Sequence, residues 1–292
     1  MKFRITPVLL LVLAVSCGQN TVKSQPETYF DLCKQNLELA REGRLADEAF
    51  CHPQQSSAGL ALEWERDPVV AGLLAQIYYE AGHMCLAQRY AFEAGTNDDG
   101  SLNLQMLQLL VKTNIIYGWY PVAAKYIREL EHHSEYSAWA TEQRRFLEND
   151  SAVDADPEYG MKRRCIPPDD FLATASGVGM QDLEYVIDAN PEHRSSVEYL
   201  GVYYLLDCDF DNFRSFLDKY YGTPALPSLP RSFAEAVCMM SEAERGYWKR
   251  FDVDPAMYRR FCDFAKRLST GLSMDRFKDT FWYYVMMMNT AL

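Results

Sequence analysis

The sequence lacks the short motifs that mark most nucleotide-binding and hydrolytic enzymes. It contains no Walker, GxSxG or HExxH pattern, and these motifs provide a phosphate loop, a serine nucleophile or a zinc site. The pair Gly177 and Gly179 lacks the third glycine and the preceding strand of a dinucleotide-binding fingerprint. No recognisable catalytic pair replaces these motifs, so we expect a protein without a cofactor and without enzymatic activity.

Basic residues are scarce relative to acidic ones. The 292 residues include 29 Lys and Arg against 41 Asp and Glu, which gives a formal net charge of -12. A field of this sign repels nucleic acid and anionic lipid surfaces, so neither is an expected partner. After residue 16, no apolar run approaches the roughly 18 residues that a membrane-spanning helix needs. We therefore expect a globular body.

Cysteine never occurs in a CxxC spacing, and no zinc site is recognisable. Of the eight cysteines, seven follow Cys17 and are scattered singly along the chain. This scatter is typical of buried free thiols, although some pairs can form in an oxidising compartment.

Two groups of charged residues resemble metal sites only weakly. Glu129 and His132 lie one helical turn apart at a predicted helix end, where histidine complements the helix dipole. Asp154, Asp156 and Glu158 alternate like the start of a calcium loop, but the glycine of such a loop is absent. We interpret both groups as solvent-exposed charges and expect no metal.

The pattern that is present is a repeat between residues 68 and 131. Two copies of helix, tight turn and helix follow each other at an offset of 36 residues, and Gly82 and Gly118 mark the two turns. Small residues such as Ala87 and Ala123 recur at matching positions, where they let antiparallel helices approach closely. Such a period predicts stacked helical hairpins.

Each copy resembles the tetratricopeptide series of a large, a small, an aromatic, a turn and two small residues. The series reads Leu74, Ala75, Tyr78, Gly82, Ala87 and Ala94 in the first copy, and Leu110, Val111, Asn114, Gly118, Ala123 and Leu130 in the second. The second copy has lost the aromatic residue. We expect an all-α fold, a tetratricopeptide-like array of helical hairpins (an α-solenoid) with about twelve helices. An ordinary irregular helical domain is the alternative.

Composition divides the mature chain into two helical blocks. We expect N-terminal helical repeats over residues 27–149 and C-terminal helical repeats over residues 169–292. Between them, residues 150–168 are rich in proline and acids and lack a helical stripe, which predicts a linker. Ser232 and Glu235 have the spacing of a capping box at a helix start.

The first residues predict where the protein is delivered. Lys2 and Arg4 precede a short apolar run, so residues 1–16 form a predicted signal peptide. The run ends in AVSC, which resembles the bacterial lipobox and implies cleavage before Cys17 and lipid attachment to it. Residues 17–26 then form a lipid-anchored tether. A plain secretory signal is the alternative.

The residues after Cys17 bear on membrane sorting. Gly18, not aspartate, follows the cysteine, and acidic residues do not come directly after it. In bacterial lipoproteins this pattern implies passage to the outer membrane without surface display. We therefore expect an outer-membrane lipoprotein that faces the periplasm.

Several phrases together resemble an uncharacterised family of tetratricopeptide-like proteins from Bacteroidota. They are the lipobox, the two helix-glycine-helix copies, NPEHRSSVEYLGVYYLLDCDFDNF, LPRSFAEAV and DTFWYYV. The resemblance spans most of the mature chain. It implies the fold and the location, and it supplies no catalytic residues.

These features favour an interaction module of the cell envelope, which binds a protein or peptide partner or scaffolds a complex. In helical-hairpin arrays the first helix of each hairpin lines a concave face. The residues expected on that face, free of packing contacts, are Gln76, Tyr79, Glu80, Gln108 and Lys112. The alternative is an envelope glycan-binding protein or glycan hydrolase, with aromatic side chains as sugar platforms and an unrecognised carboxylate site.

We predict that Cys17 is acylated, because a run too short to anchor the chain by itself ends in small residues directly before it. Metabolic labelling with a fatty-acid analogue should mark the wild-type protein. Cys17→Ala should abolish the label and release or mis-sort the protein. An unlabelled wild-type protein would contradict the anchor.

Overall fold

The computed structural model describes residues 28–52, 56–63, 65–96, 100–168 and 179–290. These residues form fifteen α-helices and no strand, so the predicted all-α class is confirmed, with more helices than expected. The helices are α1 (Tyr29–Arg41), α2 (Leu45–Glu48), α3 (Pro68–Glu80), α4 (Met84–Glu93), α5 (Leu104–Ile116), α6 (Tyr120–Glu131), α7 (Ser137–Gln143), α8 (Asp150–Ala155), α9 (Tyr159–Arg164), α10 (Leu183–Ala189), α11 (Arg194–Leu206), α12 (Phe210–Tyr220), α13 (Arg231–Met240), α14 (Pro255–Thr270) and α15 (Phe281–Thr290).

The predicted signal peptide, Cys17 and the tether lie outside the described residues. Within the described ranges, none of the helices combines the length and the apolar character needed to cross a membrane.

Local side chains fix where the long helices begin. Asp67 accepts hydrogen bonds from the N–H groups of Val69 and Val70 at 2.7 and 3.4 Å. Pro68 fills the first helical position, where an N–H group would have no partner inside the helix. Asp254 caps α14 in the same way. These starts are therefore encoded within a few residues.

Two successive hairpins, α3–α4 and α5–α6, lie where the sequence predicts two copies of helix, turn and helix. Their turns contain Gly82 and Gly118 at φ +84° and +73°, in the left-handed region that favours glycine. Ala75, Ala87 and Ala123 are fully buried. Each helix from α3 to α6 packs against the next, so the small side chains lie where helix backbones approach each other.

The predicted absence of helical structure between residues 150 and 164 is wrong. This stretch forms α8 and α9. Arg163 on α9 donates from Nε to the carbonyl oxygen of Ile116 at 2.9 Å and from Nη2 to that of Ile115 at 3.2 Å. Arg163 thereby caps the C-terminal end of α5. The buried ring of Tyr159 packs against the ring of Phe146, with centroids 4.9 Å apart. Tertiary contacts, not an apolar stripe, hold this stretch in place.

The larger hydrophobic cluster joins distant parts of the chain. It contains Leu45 of α2 together with Leu200 of α11 and Phe233 of α13. Phe50 packs edge to face on Phe281 with ring centroids 5.0 Å apart. The N-terminal helices therefore share a core with the C-terminal half, which the division into two blocks did not anticipate. A smaller cluster lies among α4 to α9.

The seven cysteines of the described residues are free thiols, as expected. Cys33, Cys165 and Cys238 are buried, whereas Cys262 is exposed. Burial raises the pKa of the Cys33 and Cys238 thiols to about 12, so both remain protonated and behave as small apolar groups.

We expect Ala87→Trp and Ala123→Trp each to lower the free energy of unfolding by about 3 kcal/mol, because an indole cannot fit where two helices touch. Urea unfolding of each variant measures the loss. Ala256→Trp on the exposed start of α14 is the control and should leave stability nearly unchanged. Wild-type stability in both buried variants would show that these alanines are not at helix crossings.

Candidate functional site

The structure brings all five predicted contact residues into one groove of about 360 Å³. Gln76, Tyr79 and Glu80 come from α3, and Gln108 and Lys112 come from α5. The groove is completed by side chains that sequence reasoning did not select: Arg41, Gln105, Met106, Leu109 and Glu158. We call this surface the α3–α5 groove.

Glu158 is the centre of the groove's polar network. Its Oε1 atom accepts a hydrogen bond from the Tyr79 hydroxyl at 2.7 Å and from Lys112 Nζ at 2.8 Å. Burial and the Glu158 carboxylate raise the pKa of Tyr79 well above its usual value, so the phenol stays protonated and donates. Asp156 holds this turn by accepting from the N–H groups of Glu158 and Tyr159 at 3.0 Å.

The polar network of the groove therefore depends on Glu158, which the sequence analysis placed in a linker. Glu158 lies 79 positions from Tyr79 and 46 from Lys112, so no local pattern could have paired them. Gln105 was also missed, although it precedes Gln108 by one helical turn on the same face. That periodicity was the available signal.

A buried ammonium group lies beneath Tyr79. Lys162 on α9 donates from Nζ to the carbonyl oxygen of Glu80 at 2.8 Å and lies 2.9 Å from Nε2 of His193. Its Nζ is also 5.2 Å from the centroid of the Tyr79 ring. Burial lowers the pKa of Lys162. The carboxylates of Glu80 and Glu158 favour the charged form of Lys162, and the carbonyl at the end of α3 and the aromatic ring add partial negative charge beside it.

His193 connects Lys162 to the turn between α3 and α4 through a chain of hydrogen bonds. Its Nδ1 lies 2.6 Å from Ser196 Oγ, and that hydroxyl donates to the carbonyl oxygen of Ala81 at 2.8 Å. A Cβ atom at Gly82 would come within 3.1 Å of both the His193 ring and Ser196 Oγ. Gly82 is therefore required by this close approach as well as by its φ angle.

The lysine, histidine and serine form a structural cluster, not a nucleophilic one. Ser196 is fully buried, and its hydroxyl proton is engaged by a backbone carbonyl. Burial and the neighbouring Lys162 hold the pKa of His193 well below its usual value, so the imidazole is neutral. A neutral ring with its proton on Nδ1 can accept from Lys162 at Nε2 and donate to the Ser196 hydroxyl.

Most groove side chains have internal partners, so the expectation that they are free of packing contacts is wrong for four of the five predicted residues. Tyr79 and Lys112 bind Glu158, and Glu80 Oε1 accepts from the Ser195 hydroxyl at 2.8 Å. Gln76 accepts from Arg41 at 3.1 Å. Within the described chain, the side-chain amides of Gln105 and Gln108 make no hydrogen bond and remain open to a ligand.

The two groups that resemble metal sites in the sequence do not form such sites. Beside the pair Glu129 and His132, the Nε2 atom of the neighbouring His133 lies 3.8 Å from Glu129 Oε1 on a solvent-facing surface. Asp154 pairs with Arg163 at 3.0 Å. Among the described residues, no three His, Cys, Asp or Glu side chains converge on a point that could hold a metal ion.

One protein family matches residues 19–288, and it is described as a family of unknown function (DUF6057). The chain belongs to this family. Comparison with curated proteins and with solved structures finds no match. Membership covers nearly the whole chain and assigns no activity to it, so the function must be argued from the geometry of the site.

The neutral, buried His193 predicts a dependence of stability on pH. Its pKa in the folded state lies below the usual 6.5, so the unfolded chain binds a proton more readily. Its contribution is complete above pH 6.5 and is lost as the pH falls below that value, by up to about 1.4 kcal/mol per pH unit. Urea unfolding between pH 7.5 and 5.5 measures this slope.

One variant separates this histidine from other titrating groups. His193→Gln should flatten the slope between pH 6.5 and 5.5, because it removes the imidazole that resists protonation in the folded state. An equal slope in wild type and His193→Gln would show that this imidazole is protonated in the folded state.

Proposed function

We propose that this protein is a lipid-anchored interaction module of the cell envelope that holds a segment of another polypeptide in the α3–α5 groove. The anchor is Cys17, and the body faces the periplasm from the outer membrane. The helices form a tetratricopeptide-like array whose first helices line the groove. The observation that carries the proposal is the convergence of all five predicted contact residues on that one groove.

The shape of the groove supports binding of an extended segment. α3 and α5, the first helices of successive hairpins, both contribute to it, and the buried side chains of Met106 and Leu109 form part of its lining. Glu158 fixes Tyr79 and Lys112 before any partner arrives. A preformed surface loses little conformational entropy on binding.

The chemistry of the groove supports recognition of a peptide backbone. A glutamine side chain carries the same amide donor and acceptor as a peptide bond, and Gln105 and Gln108 present two such amides one helical turn apart. Two cations, Arg41 and Lys112, and two acids, Glu80 and Glu158, make the lining neutral overall. Because the whole chain carries a formal charge of -12, neutral or basic segments are favoured over acidic ones.

The same contacts favour binding over hydrolysis. A hydrolase that uses two carboxylates needs one acid to donate a proton and the other to attack or activate water. In the groove Glu158 binds Tyr79 and Lys112, and Glu80 binds Ser195. Both carboxylates are thus occupied in holding the fold.

The test is the double substitution Gln105→Ala with Gln108→Ala, because these amides make no hydrogen bond within the described chain. It should leave the melting temperature nearly unchanged and abolish co-purification of the partner from cross-linked, solubilised envelope. Quantitative mass spectrometry compares this variant with wild type and with Lys125→Ala plus Arg128→Ala, two exposed residues of α6 outside the groove. The control should retain the partner.

A protein that is enriched by wild type and control but lost with the groove variant would then be confirmed with purified components. Partners that are retained in full by the groove variant would overturn the proposal. So would turnover of envelope glycans or peptides by the purified wild-type protein.

A further inference from the structure

A second concave surface lies on the other helices of the same two hairpins. It has a volume of about 470 Å³ and is lined by side chains from α4, α5, the α5–α6 turn and α6. Its aromatic, charged and amide side chains include Phe92, Trp119, Tyr126, Gln88, Arg89 and Glu93. We call this surface the aromatic cleft.

Two aromatic rings of the cleft are largely exposed to solvent, although packing in a core would bury them. Phe92 is 69% exposed and Trp119 is 50% exposed, and neither belongs to the hydrophobic clusters of the described chain. The Trp119 ring is held in place by stacking on Tyr117, with centroids 4.7 Å apart and planes 16° apart. A rigid, solvent-facing indole beside a second exposed ring is a ready stacking surface.

The polar side of the cleft is neutral and open. Arg89 Nε donates to Glu93 Oε1 at 3.0 Å, so the two charges of the lining are paired with each other. The amide of Gln88, one residue before Arg89, makes no hydrogen bond within the described chain. A volume of this size, with apolar walls and few polar groups, is typical of small-ligand sites.

We propose that the aromatic cleft is a second binding site, which takes a neutral pyranose ring of an oligosaccharide. Such a ring has an apolar face of C–H groups that can lie on Trp119 and hydroxyl groups that can bond to Gln88 and to the Arg89–Glu93 pair. A fully apolar ligand would cover the Gln88 amide without bonding to it. A charged ligand would find no unpaired charge of opposite sign in the lining.

This site is independent of the α3–α5 groove, because the two share no lining residue. Loss of polypeptide binding in the Gln105 and Gln108 variant would therefore leave the proposal intact, and sugar binding would equally leave the polypeptide proposal untested.

The experiment is calorimetric titration of the full-length chain in detergent with three neutral hexasaccharides: chitohexaose, cellohexaose and maltohexaose. At least one should bind with a dissociation constant on the order of 1 mM or tighter. Trp119→Ala and Phe92→Ala should each weaken that binding about tenfold, and Trp119→Phe should retain part of it. Val69→Ala, an exposed apolar residue on α3, is the control and should change nothing.

Gln88→Leu separates a sugar from an apolar ligand. It should weaken the hexasaccharide, whereas it would strengthen a ligand that is held by apolar contact alone. Failure of all three hexasaccharides to bind, or unchanged binding in both Phe92→Ala and Gln88→Leu, would overturn the proposal. Tighter binding of free indole in Gln88→Leu, without sugar binding to wild type, would assign the cleft to apolar rings.

Discussion

The structure depends on how one buried ammonium group is compensated. An uncompensated Lys162 would cost several kcal/mol, and the groups within contact distance of its Nζ are dipoles: the Glu80 carbonyl, the His193 ring and the face of Tyr79. These partners belong to α3 and to the residue that directly precedes α11. Satisfying the lysine therefore fixes the end of the first hairpin helix against α9 and against the C-terminal half.

The sequence predicts those parts of the fold that are determined by residues within about one helical turn of each other. Turn glycines, small residues at crossings and the Asp67–Pro68 cap all act on near neighbours. The capping box expected at Ser232 and Glu235 shows the limit. Ser232 donates to the Ala46 carbonyl, 186 positions away, and Glu235 accepts from the Phe281 N–H group, 46 positions away. Both residues lie inside α13, so their spacing carried no information about their partners.

The same difference between local and distant contacts determines how much of the candidate site the sequence predicts. Helical phase alone placed Gln76, Tyr79 and Glu80 on one face of α3, and the repeat placed the α5 residues beside them. Helical phase gives no information about residues from distant parts of the chain, so Glu158 was predicted only as a solvent-exposed acid. Its side chain is 44% exposed, and it also accepts hydrogen bonds from Tyr79 and Lys112. These bonds fix the two groove side chains to a segment that the repeat does not include.

Rigidity also determines how the groove and the aromatic cleft can influence each other. α5 lines both, since Met106 and Leu109 face the groove while Leu110 and Asn114 face the cleft. The two sites are therefore separated by about one helix diameter, roughly 10 Å. Arg163 caps the end of α5, and buried residues surround its core face. A helix held in this way cannot shift without repacking its neighbours. Two ligands bound as proposed would therefore be held at a fixed separation, and the affinity for each would be nearly independent of the other.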